Sequence, residues 1–166
     1  MKATLALIFT LLCTNLGAST PLGCVSLDEV SSSNNPADIF AGLTSCMDKQ
    51  NYKHAAALYT MATLYGVYDA RRVANEAAPQ VVALLRMYAL SGRPKAELNR
   101  LQAEVVELLT DNTEVCQRIL KIGKPAYYPS YITEHISANS TGSLQITEGF
   151  NEQEAWQESL ALVPHC

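Results

Sequence analysis

The sequence predicts an all-α chain, a disulfide-stapled antiparallel helical bundle. Three observations carry that expectation. From residue 35 onward apolar residues recur three and four positions apart, the spacing of one helix face, and no sustained period-two alternation interrupts them. The segments between these stripes are short and marked by Gly, Pro and Asn, which makes neighbouring helices antiparallel. Cys24, Cys46, Cys116 and Cys166 remain once an N-terminal leader is set aside, an even number suited to an oxidising compartment.

The leader is read from the first residues. Lys2 gives a short positive region, Ala3 to Cys13 is apolar, and Gly17, Ala18 and Ser19 are small. Asn15 interrupts a run already short of the roughly 20 apolar residues that a membrane helix needs. Residues 1–19 therefore read as a secretory signal peptide, with cleavage near Ala18 or Ser19. Periplasmic export is the expected destination. A rival reading makes PLGC a lipoprotein signal with a lipid anchor on Cys24, which would place the chain on the outer membrane; an extracellular location is the other alternative. Residues 20–34 read as a flexible polar leader and 35–166 as one helical domain. The formal charge of −4 offers nothing to attract nucleic acid.

Asn35-Pro36 starts the first helix, with Asn as cap, Pro in the first turn and Asp38 near the positive helix end. Its stripe is Ile39, Leu43, Cys46 and Met47, and Lys49-Gln50-Asn51 ends it. A second helix begins at Tyr52, buries Ala55, Ala56, Tyr59 and Ala62, and is expected to stop at Gly66. A third begins at Asp69 and breaks or kinks before Pro79, because proline removes a helix hydrogen bond and clashes with the preceding turn. Val81, Val82, Leu84, Leu85, Tyr88 and Leu90 continue it, and Gly92-Arg93-Pro94 stops it. Leu98, Leu101, Val105 and Leu108 mark a fourth helix. Asn112 caps a fifth, with Val115, Cys116, Ile119 and Leu120 as its stripe, ended by Gly123 and Pro125. SANSTGS reads as a loop, Gln145-Ile146-Thr147 as a short extended piece, and Asn151 with Glu154 as the cap of a last helix carrying Trp156, Leu160 and Leu162.

Of the three possible cysteine pairings, Cys46–Cys116 is favoured, because both fall on apolar faces of expected helices; Cys24–Cys166 then ties the ends. A loop that long would stabilise by about 4 kcal/mol.

Two stretches concentrate aromatic and charged residues. YGVYDARRV offers Tyr65, Tyr68, Arg71 and Arg72 as a binding patch, since Arg recognises carboxylates in a bidentate manner and Tyr gives contact area at low entropy cost. The plainer reading has Asp69 capping a helix and Arg72 reaching a carboxylate within the bundle. GKPAYYPSYITEH offers Tyr127, Tyr128, Tyr131 and His135. Pro125 and Pro129 make it a stiff strap. Adjacent Tyr127 and Tyr128 must face opposite sides, one core and one surface. If the chain turns helical after Pro129, Tyr131 and His135 share a face. That pair could move a proton in a small hydrolase, but the sequence fixes no nucleophile or carboxylate beside it. His54, His135 and His165 lack metal-ligand spacing, and GxSxG, P-loop and GxGxxG motifs are missing, so neither a metal nor a cofactor is expected. Asn139-Ser140-Thr141 matches a glycosylation acceptor.

YKHAAALYTMATLYGVYDARRVANEAA resembles one helical hairpin of the tetratricopeptide or Sel1 kind, with small Ala between large Tyr, but no period recurs to build an array. NPADIFAGLTSC, YKHAAALY, YGVYDARRV, GKPAYYPSYITEH and the closing EAWQESL and His-Cys together resemble an uncharacterised family of small exported proteobacterial proteins. That resemblance implies a helical periplasmic domain with a structural role for Cys46 and Cys116, and implies no activity. The expected function is a non-enzymatic protein-binding module of the cell envelope. An immunity protein neutralising a periplasm-delivered toxin and a hydrolase using His135 and Tyr131 are the alternatives.

Overall fold

The computed structural model describes residues 21–137, 145–164 and 166; the expected signal peptide, the SANSTGS loop beyond its first serine and the Asn139 acceptor lie outside them. Among the described residues the chain is all-α, with seven α-helices after a single 3-10 turn at Leu27–Glu29. They are α1 (Pro36–Asp48), α2 (Tyr52–Arg72), α3 (Ala78–Leu90), α4 (Lys95–Thr110), α5 (Thr113–Ile122), α6 (Ser130–Ser137) and α7 (Glu152–Leu160).

α1 begins as its sequence dictates. The Asn35 side chain accepts from the Asp38 N–H and the Asp38 carboxylate accepts from the Asn35 N–H. α2 starts from Asn51, whose side chain accepts from the His54 N–H. α7 starts from Asn151, whose side chain accepts from the Glu154 N–H. The expected Asn112 cap does not form. Asn112 instead donates its amide to the Pro164 carbonyl, joining the start of α5 to the C-terminal turn.

α2 is the axis of the fold, packed by α1, α3, α4 and α7. Ala55, Ala56, Leu58, Met61, Ala62 and Leu64 are fully buried there, together with Ile39, Leu43 and Met47 of α1. A smaller cluster of Val73, Ala78, Val81, Ile132 and Ile136 docks α6 on α3. α4 is held more lightly. Only Leu101 is fully buried, with Leu98, Val105 and Leu108 packed at its sides. Leu120 and Leu162, expected on apolar stripes, are instead exposed.

α2 also corrects the expected helix boundary. It runs through Gly66 to Arg72, so Asp69 lies inside a helix and does not cap one. The glycine serves a close approach: a Cβ at Gly66 would stand 2.4 Å from Val82 Cγ1 of α3. The break expected before Pro79 is present, with α3 starting at Ala78. Gln145–Thr147 is the extended piece expected, bridging back to the end of α2 through Ala74 N–H to Gln145 O (3.0 Å) and Thr147 N–H to Arg72 O (2.8 Å).

Residues 21–34 are not a loose leader. Ser26 and Glu29 form a capping box around the 3-10 turn, and Leu27 and Val30 enter the main core. This docking overturns the expected disulfide pairing. Cys46 does point into the core from α1, but the leader brings Cys24 against it, and the bonds are Cys24–Cys46 and Cys116–Cys166. Each end of the chain is stapled to the helix it packs on, rather than one end to the other. In this pairing the Cys24 sulfur is bonded to that of Cys46.

Candidate functional site

The two stretches singled out in the sequence meet at Asp69. The i,i+3 spacing within α2 sets Arg72 beside it, with Arg72 Nη2 2.7 Å from Asp69 Oδ1. From the other side, Pro125 and Pro129 carry the strap across the C-terminal half of α2. Both Tyr127 and Tyr131 donate their phenolic hydroxyls to Asp69 Oδ2, each at 2.7 Å. The Asp69 carboxylate is wholly buried and Arg72 nearly so. A buried charge is tolerated only when paired, and here one cation and two phenols surround one carboxylate. The Arg72–Asp69 contact is an ion pair more than a well-directed hydrogen bond, and Arg72 Nε finds no acceptor among the described residues.

Aromatic rings close the remaining space. The Arg72 guanidinium lies 5.1 Å from the Tyr127 ring centre and 5.4 Å from that of Tyr68. Tyr68 meets Phe150 and Trp156 edge-on, and Tyr65 tilts against Tyr127 and Trp156. Tyr65 also donates its hydroxyl to the Gly123 carbonyl at 2.8 Å, fixing the point where α5 gives way to the strap.

Electrostatics follow from this burial. Burial pushes the Tyr127 and Tyr131 phenols well above their ordinary range, and the Asp69 charge adds to it. The Tyr65 phenol is raised for the same two reasons in the same order. Burial also pushes the Asp69 carboxyl up, while Arg72 and the two phenols pull it back.

The eight expected binding residues therefore divide. Tyr65, Tyr68, Arg72, Tyr127 and Tyr131 come together in the buried knot. Arg71, on the outer side of α2, pairs with Glu158 of α7. Tyr128 is 53% exposed, so the expected alternation of the tyrosine pair holds. His135 is exposed one helical turn beyond Tyr131, whose hydroxyl is directed inward to Asp69. Cys24, Cys46 and His54 bring their donor atoms within 4.8 Å of one another, but the two sulfurs are bonded to each other, which leaves His54 as the one available metal donor of the three.

Sequence reasoning treated Asp69 as a cap and so missed it as the centre of the site. Its signal was present as Asp-x-x-Arg on a continuous helix face, hidden by reading Gly66 as a stop. Nothing local marked Trp156 or Phe150 as the knot's outer wall. Comparison of the chain with protein-family models, curated proteins and solved structures finds no match.

Proposed function

We propose that this chain is an exported periplasmic protein that acts by binding another protein, without catalysis, and that its contact surface is the strap. The observation that carries this reading is the setting of Tyr128. It projects from a backbone held by a proline on each side of the Tyr127-Tyr128 pair and by two tyrosines anchored on Asp69. A rigid exposed aromatic contributes contact area with little entropy left to lose, which is the property of an interface anchor. The phenols and carboxylate suited to acid–base chemistry are turned into the bundle and occupied by one another. Export rests on the apolar N-terminal run together with two disulfides.

The test compares wild-type protein and Tyr128→Ala as baits in periplasmic extract, with circular dichroism to establish that both are folded. The expected result is a protein retained by the wild type and lost by the variant. Identical captured sets would contradict the strap as the contact surface.

A further inference from the structure

A groove on the far side of α2 offers a second and chemically different site, independent of the strap. The short 73–77 link turns the chain back, so that α3 runs antiparallel to α2. The facing positions on both helices carry small or short side chains: Gly66, Val67 and Ala70 on α2, and Pro79, Val82 and Ala83 on α3. Spacings of three and four put each set on one helix face. The helices touch where Gly66 meets Val82, and they leave beside that contact an open trough of about 400 Å³, with Phe40 of α1 in its wall. That volume lies within the range of roughly 300–1,000 Å³ typical of small-molecule sites.

The trough is apolar along its length and cationic at its ends. In the antiparallel pair Arg71 lies at the Pro79 end, whereas Arg86 lies at the Thr63 end. The two differ in one respect. Arg71 is neutralised by Glu158, while Arg86 has no carboxylate partner among the described residues. An uncompensated guanidinium at the mouth of an apolar trough complements a ligand with an apolar chain and one anionic head. With Arg71 already paired, the open guanidinium stands at one end of the trough only, which gives the ligand a defined orientation.

We propose that this groove binds a free medium-chain fatty carboxylate, the chain lying between α2 and α3 and the carboxylate on Arg86. Calorimetric titration of the disulfide-intact protein with decanoate, and separately with decanol, tests this. One equivalent of decanoate is expected to bind, with decanol weaker by about tenfold, the worth of one charge-assisted contact. Arg86→Ala should weaken decanoate by a similar factor, remove its salt dependence and leave decanol unchanged. Ala83→Trp, at an exposed position that the core does not need, should block both ligands. No decanoate binding by the wild type would overturn the proposal. Equal affinity for acid and alcohol, or undiminished binding by Ala83→Trp, would do the same. So would binding to anionic vesicles without binding to free decanoate, which would make the face a membrane contact.

Discussion

The two halves of α2 solve burial in opposite ways. From Tyr52 to Leu64 the helix presents Ala55, Ala56, Leu58, Met61, Ala62 and Leu64 to neighbours that are equally apolar. From Tyr65 to Arg72 its inward face is just as deeply buried, yet that face carries two phenols, a carboxylate and a guanidinium. The first half is held by area and volume, which have no direction and degrade gradually as atoms are removed. The second is held by pairing. Each polar group is tolerable only because of the others, so loss of one member leaves its partners buried and unmatched. The apolar half fixes α1 on α2. The polar half fixes a segment more than fifty residues away in sequence, and with it the display of Tyr128.

The largest effect is expected at the centre of the polar half. Asp69→Ala leaves Arg72 buried without a carboxylate and should cost about 3–5 kcal/mol in urea denaturation. Adding Arg72→Met to that variant should recover part of the loss, because the orphaned charge goes with it. If the double variant is as unstable as the sum of the single ones, the pairing account of this half is wrong.

The apolar half should respond to volume alone. Leu58→Ala should cost about 2–5 kcal/mol, whereas Leu58→Met, which keeps the volume, should cost less than about 1.5 kcal/mol by the same measurement. Equal losses for the two would mean that this half also depends on specific geometry.

Alkaline pH should separate the halves without mutation. The Tyr127 and Tyr131 phenols are raised in the folded chain, first by burial and then by Asp69. Their contribution is complete below the unfolded value of about 10 and is lost as pH rises toward the folded values, because only the unfolded chain then releases the protons. The limiting slope is about 1.4 kcal/mol per pH unit for each phenol. Urea midpoints should therefore hold steady from neutral pH to about 10 and fall above it. The fall should be shallower in a Tyr127→Phe, Tyr131→Phe variant.

A single spoke of the knot should matter less than its centre. Tyr131→Phe removes one donor while Tyr127 and Arg72 still satisfy Asp69, and should cost about 1–2 kcal/mol. A larger loss would mean that α6 depends on this bond more than on Ile132 and Ile136, which pack it against α3.

How much of this could be read in the chain depended on whether the cause was local. Asn35-Pro36, Asn51 and Asn151 act within one turn, and the helices begin beside them. The Pro79 break and the Gly92-Arg93-Pro94 stop are local in the same sense, and they stand. Gly66 was ambiguous, since a glycine suits a helix end and a close helix crossing equally well, and only the position of Val82 decides between them. The cysteine pairing failed for a related reason. Cys46 and Cys116 both sit on buried faces, but their partners are set by where residues 21–34 and the C-terminal turn dock, and Leu27 and Val30 within SLDEV are too few to announce a docked segment. The tyrosine alternation in the strap was legible because extended backbone imposes it. The carboxylate waiting beneath was not, because it lies fifty-eight positions earlier in the chain.

The central claim is that Asp69 pins the strap and α6 to α2. Amide hydrogen exchange of wild type and Asp69→Asn tests it most directly, resolved by segment. The account predicts faster exchange in the variant across the backbone from Ala126 to Ile136, while α1 and the Tyr52–Leu64 half of α2 keep their wild-type protection. Unchanged protection in the strap, or an equal loss throughout α1 and α2, would contradict it.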